Sequence, residues 1–217
     1  MTKPLLQVAL DYVNLEDALG MLEKIEQEVD IVEAGTPLIK SEGMKNTLKS
    51  FAEASNKPLV ADLKVADVAD IEFNIASEYK AEYVTILASS PIENIQDGIK
   101  SAQSLNLKLV ADLLGVENYC ARAWELAKLG VEYIGLHCGI SEQRQGKDIF
   151  SKTQEVSDVI SPLGAKIVVA GGINQENINK LAGIENIAII IVGGGITGQD
   201  DPAQAAARLR GKIQEIF

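Results

Sequence analysis

The 217-residue chain reads as an α/β protein, a single-domain (β/α)8 TIM barrel over residues 1–217. Three observations predict it. Short β-branched or Leu-rich runs recur eight times, a segment of helical period follows each, and no Pro/Gly/Ser-rich linker or low-complexity tract breaks the alternation. Strict β-α alternation demands parallel strands with right-handed crossovers. Eight such units suit a closed barrel better than the alternative, a doubly wound open sheet.

The expected strands are 5–10 (LLQVAL), 30–32 (DIV), 58–61 (PLVA), 83–87 (YVTIL), 107–111 (LKLVA), 133–136 (YIGL), 166–170 (KIVVA) and 187–192 (IAIIIV). Their near-continuous apolar character is what strands covered on both faces require. The intervening segments carry helical spacing. In NLEDALGMLEKIEQ, Leu15, Ala18, Leu19, Leu22 and Ile25 share one face, and Asn14 is placed to cap the start.

The 31 acidic against 20 basic residues give a net charge of −11, which repels a phosphate backbone and excludes nucleic acid and anionic membranes as expected partners. An anionic substrate would need local dipoles or a metal to hold it. No apolar run approaches the ~20 residues of a membrane span, and the amino-terminal stretch MTKPLLQVALD lacks the features of a leader, so the expected location is cytoplasmic. Cys120 and Cys138 fall on a helix and a strand end without metal-type spacing, and are expected as free thiols.

In such a barrel the active site forms at the carboxyl ends of the strands. The residues just past the apolar runs are Asp11, Glu33, Asp62 with Lys64, Asp112, the lone His137, Gly171-Gly172 and Gly193-Gly194-Gly195. Asp11 and Asp112 equally suit the N-cap of a following helix. Glu33 precedes AGTP, read as a turn and not an immediate helix start. Asp62 and Lys64 are expected to point to one side, with Asp67 beyond the turn at the start of a helix near Val68; a surface ion-pair network is the alternative. Glycines between a buried strand and a helix let backbone amides approach an anion, and the loops after strands seven and eight are the customary phosphate site of this architecture.

Together ALD, EAGTPLI, ADLKVAD, ADLLG, LHCGISEQ, VAGGI and IVGGGIT resemble, over almost the whole chain, the 3-hexulose-6-phosphate synthase family of the orotidine 5'-monophosphate decarboxylase superfamily. Asp-x-Lys-x-x-Asp is the superfamily signature, matched by Asp62, Lys64 and Asp67. The related 3-keto-L-gulonate-6-phosphate decarboxylases show a glutamate, an arginine and Gly-Arg where this chain has Asp112, Ile140 and Gly194. Orotidine monophosphate decarboxylases usually continue the signature with Ile-Pro, where this chain has Val68-Ala69.

The resemblance implies aldol condensation of D-ribulose 5-phosphate with formaldehyde through a Mg-stabilised enediolate. It makes Glu33 and Asp62 ligands of Mg²⁺ and Lys64 the stabiliser of the enediolate. Asp67 would enter the partner's active site in a homodimer, with Asp11 and Asp112 in the same catalytic set. Removing a proton beside a carbonyl creates charge that a metal and a lysine can meet, and requires a base near neutrality, which His137 can be. Decarboxylation of 3-keto-L-gulonate 6-phosphate and a non-catalytic sugar-phosphate-binding barrel are the alternatives.

Overall fold

The computed structural model describes residues 3–217, so the first two positions of the expected domain lie outside the described residues. Eight strands, β1 (Leu5–Leu10), β2 (Ile31–Ala34), β3 (Leu59–Val65), β4 (Ala81–Leu87), β5 (Lys108–Asp112), β6 (Tyr133–His137), β7 (Lys166–Ala170) and β8 (Ile187–Val192), pair in parallel and in chain order, and β8 closes on β1. The fold is a (β/α)8 barrel, and the open sheet is excluded. The helices are α1 (Leu15–Ile25), α2 (Thr36–Glu42), α3 (Met44–Ala54), α4 (Ala69–Glu78), α5 (Ile92–Ser104), α6 (Tyr119–Lys128), α7 (Ile140–Arg144), α8 (Phe150–Ile160), α9 (Gly194–Thr197) and α10 (Pro202–Ile216).

Alternation along each strand divides the apolar residues into two cores. Ile31, Val60, Tyr83, Val110, Tyr133, Val168 and Ile189 fill the barrel interior, while residues such as Leu10, Phe51, Phe73, Ile86 and Leu126 pack between the sheet and the helices. At the amino-terminal end Tyr83 and Tyr133 meet edge to face with ring centroids 5.8 Å apart. Lys108 pairs with Glu82 at 2.5 Å and Lys166 with Glu132 at 2.6 Å, each ammonium also lying over one of those rings. This end is plugged; the functional groups lie at the other.

Three expectations need correction. Glu33, Asp62, Lys64, Asp112 and His137 lie within the last residues of their strands, not beyond them, because an inward-facing position near the carboxyl end opens on the barrel mouth instead of the apolar core. AGTP is not a free turn: Gly35 is the N-cap of α2, whose first residue is Thr36, and Pro37 takes an early helical position where its missing N–H costs nothing. Finally, β7 is followed by a single 3-10 turn, Ile178–Leu181. Asn174 Oδ1 accepts from the amides of Glu176 and Asn177, and Asn177 Oδ1 from that of Asn174, so side-chain bonds take amides that a helix would have used.

Asn14 does cap α1, accepting from the Asp17 amide at 3.2 Å, and Asn118 caps α6. Neither Asp11 nor Asp112 is therefore a helix cap. Both cysteines are free thiols.

Candidate active site

A continuous chain of ionisable side chains crosses the mouth of the barrel. Lys64 Nζ lies 2.6 Å from Asp62 Oδ2 and 3.7 Å from Asp112 Oδ2, and the same Asp112 oxygen lies 3.4 Å from His137 Nδ1. The Asp62 and Lys64 side chains are only 5% and 20% exposed, which rules out a surface ion-pair network. Asp112 Oδ1 accepts from the Leu114 amide at 2.9 Å, fixing the carboxylate. Between β5 and β6, Gly135 leaves space that a Cβ would lose, since one built there would lie 3.2 Å from Asp112 Cα.

Asp62 is the most tightly held acid. Its Oδ1 accepts from Thr85 Oγ1 at 2.9 Å, and its Oδ2 accepts from Thr36 Oγ1 at 2.6 Å as well as from Lys64. Burial pushes its pKa up, but the Lys64 charge and these hydrogen bonds outweigh burial and hold it below the ordinary carboxylate value. Burial likewise pulls Lys64 down, yet Asp62, Asp112 and Glu33 together raise it, so the ammonium stays charged.

Glu33 behaves in the opposite way. Burial, then the charges of Asp62 and Asp11, drive its carboxyl well above the ordinary range despite a 2.7 Å hydrogen bond donated by Gln7 Nε2 to Oε2. Asp11 is raised too, by desolvation and by Asp62. Although solvent reaches it, its carboxylate folds over the β2–α2 junction so closely that a Cβ on Gly35 would lie 2.2 Å from Oδ1, and one on Gly193 would lie 3.9 Å from Oδ2. Asp11 thus lies beside both the β2 and the β8 loops. Asp67 stands apart, exposed beside the exposed Val68 and outside the chain of ionisable side chains, in a loop tied to α5 by Asn94 Nδ2 donating to Ala66 O at 2.9 Å.

The glycine loops close the other side of the mouth. Gly171 (φ +110) and Gly172 (φ +70) adopt backbone angles that only glycine takes without strain, and a Cβ on Gly171 would lie 2.4 Å from Cys138 O. That carbonyl also accepts from Gln143 Nε2 at 2.7 Å, so the loop after β6 and the loop after β7 are packed as one. Gly193 precedes the single turn α9, in which Gly195 packs against Ile173 O and Val192.

Sequence reasoning missed Gln7, Thr36 and Thr85. A signal existed for two of them: Gln7 and Thr85 are the polar residues in the otherwise apolar runs LLQVAL and YVTIL, and a lone polar residue in a strand covered on both faces must find a buried partner. Thr36 was hidden by the reading of its segment as a turn.

Among the described residues no group of three or more His, Cys, Asp or Glu is arranged to hold a metal by itself. Glu33 and Asp62 nevertheless offer hard carboxylate oxygens on adjacent strands, and with Asp11 they repel one another in a way that a cation would relieve. The chemistry of the pair suits a divalent ion, whose remaining ligands would be water or substrate.

The fold is a (β/α)8 barrel, and the proteins it is similar to make the class an enzyme, a lyase. The chain belongs to the orotidine 5'-phosphate decarboxylase / HUMPS family, whose model matches residues 4–209. It is 37% identical over 209 residues to a 3-hexulose-6-phosphate synthase of Staphylococcus epidermidis and 36% identical to one of Staphylococcus aureus, each alignment covering 96% of this chain and 98% of the relative. Among solved structures it is similar to a 3-hexulose-6-phosphate synthase from Salmonella typhimurium (TM-score 0.92, 30% identity, 98% of this chain and 100% of that one). It is also similar to a 3-keto-L-gulonate-6-phosphate decarboxylase from Vibrio cholerae (TM-score 0.86, 30% identity, all of both chains). No helix of the described residues is long and apolar enough to cross a membrane.

Proposed function

We propose that the chain catalyses the reversible aldol condensation of D-ribulose 5-phosphate with formaldehyde to a 3-hexulose 6-phosphate. The observation that carries this reading is the connected set Asp62, Lys64, Asp112 and His137 at one mouth, in a chain whose relatives at 36–37% identity are synthases of that name. With Nδ1 against Asp112, His137 has Nε2 to take the C1 proton of the sugar phosphate. The electron pair left behind spreads onto the C2 oxygen as an enediolate, and the Lys64 ammonium, kept charged by Asp62, Asp112 and Glu33, faces that charge. C1 then attacks the formaldehyde carbon, a carbon–carbon bond forms, and the formaldehyde oxygen takes the proton held on His137.

Glu33 and Asp62 would hold Mg²⁺, which when bound supplies positive charge to the enediolate oxygens. Asp11, beside the β2 and β8 loops, belongs to the same catalytic set. Amides of Gly171, Gly172, Gly193, Gly194 and Gly195 would bind the phosphate, and Asp67, exposed in one protomer, would complete the site of a partner subunit in a cytoplasmic homodimer. The keto-gulonate phosphate reading is not favoured: Asp112, Ile140 and Gly194 stand where the notable residues of those decarboxylases differ.

The test is incubation with ribulose 5-phosphate, formaldehyde and Mg²⁺ beside a parallel reaction with 3-keto-L-gulonate 6-phosphate. Hexulose phosphate formation at a kcat/KM well above that for decarboxylation is expected. A faster release of CO₂ than consumption of formaldehyde would overturn the assignment.

A further inference from the structure

The β3–β4 ladder breaks at the site. Ala61 pairs with Val84 and Val65 with Ile86, so between those pairs β3 carries Asp62, Leu63 and Lys64 where β4 carries Thr85 alone. Within this bulge Lys64 has φ +47. Among the described residues three other non-glycine residues have positive φ, Lys80, Asn106 and Asn186, and all of them lie at turns; of these described residues Lys64 is the one inside a strand. A lysine has no intrinsic reason to sit there, since a left-handed backbone in an L residue is unfavourable and must be held by its surroundings.

Thr85 is the group that holds it. Tyr83 faces the barrel interior, so Thr85, two residues along, faces the same way toward the mouth. Its Oγ1 accepts from the Lys64 amide at 2.8 Å, replacing the ladder bond that the bulge removes, and donates its only proton to Asp62 Oδ1 at 2.9 Å. One hydroxyl therefore fixes both the backbone that aims Lys64 and the carboxylate that Lys64 meets. The β-branch limits the choice of χ1, so the hydroxyl is aimed before any ligand arrives.

We propose that Thr85 is the positioning residue for Lys64, setting the ammonium between Asp62 and Asp112 without itself touching substrate. For activity this rests on the reaction proposed above, in which Lys64 meets the enediolate. Valine at this position would keep the shape and remove the hydroxyl; serine would keep the hydroxyl and loosen the rotamer.

The experiment compares Thr85→Val with Thr85→Ser in the condensation assay, after near-UV circular dichroism has shown both folded. Thr85→Val should lose about 100-fold in kcat, the size expected when a catalytic group is displaced by about an ångström, with KM for ribulose 5-phosphate changed by less than about threefold. Thr85→Ser should retain kcat within about fivefold. Equal losses in the two variants, or full kcat in Thr85→Val, would overturn the proposal. If Thr85→Val does not fold, Thr85→Ala against Thr85→Ser makes the same comparison. A second arm needs no substrate: the Lys64 amide should be protected from hydrogen exchange in wild type and Thr85→Ser but not in folded Thr85→Val. Equal protection in all three refutes the role of Thr85. A wild-type enzyme inert toward both substrates while the exchange pattern holds refutes the reaction instead and leaves Thr85 in place.

Discussion

His137 Nδ1 lies 3.4 Å from Asp112 Oδ2, and this contact decides which imidazole nitrogen is free for chemistry. Asp112→Asn should therefore lower kcat about 100-fold or more by allowing the wrong tautomer, with little change in Tm. Steady-state kinetics beside a melting curve make the check; an unimpaired kcat would remove Asp112 from the proton path.

Glu33 gives a pH prediction of definite sign. Its folded-state pKa is raised by burial and by Asp62 and Asp11, so between its unfolded and folded values the native protein binds more protons than the unfolded chain. Stability therefore falls as pH rises through that window, by up to ~1.4 kcal/mol per pH unit for one proton. Glu33→Gln, which can still accept from Gln7, should flatten the fall in metal-free protein. Denaturant titrations from pH 4.5 upward that ran parallel for both proteins would contradict this.

The same raised carboxyl bears on metal. If Glu33 must ionise to bind Mg²⁺, then binding should release protons and weaken as pH falls, and chelation should abolish turnover until Mg²⁺ is restored. Calorimetry in buffers of different ionisation enthalpy counts the protons directly. Full turnover in excess chelator, or binding with no proton release, would oppose the assignment.

The two glycine loops should separate under substitution. Gly171→Ala places a Cβ 2.4 Å from Cys138 O at φ +110 and should lower stability by at least ~1–3 kcal/mol. Gly194→Ala meets no atom within 4 Å, so its Tm should hold while KM for the phosphorylated sugar rises. Identical behaviour of the two variants would show that the loops are not divided in this way.

Asp67 tests the assembly. Asp67→Ala and His137→Ala should each be nearly inactive, and subunit exchange between them should restore about a quarter of wild-type activity, because half the dimers are hybrids and half of each hybrid's sites are intact. Demonstrated exchange without recovery would place Asp67 in its own protomer's site.

Much of this architecture was legible because the barrel strands announce themselves as apolar runs: β1, β7 and β8 have the bounds that LLQVAL, KIVVA and IAIIIV prescribe. β2, β3, β5 and β6 run on into polar residues, since hydropathy registers the change from core to mouth while the backbone ladder continues past it, whereas β4 ends at Leu87 as expected and only starts earlier, at Ala81. Asp62 and Lys64 are the sharpest case, being held in β3 by a threonine on β4 that is 21 residues from Lys64. The missing helix after β7 escaped for a local reason, because asparagine side chains compete with the helix for amides and periodicity does not weigh that competition.

The plug of Tyr83, Tyr133 and their lysines makes the barrel a blind alley. Whatever enters the mouth must leave by it, so two reactants meeting there have to queue. For the proposed condensation the small aldehyde would have to slip past a seated sugar phosphate, and the hexulose phosphate would have to depart before another pair is admitted.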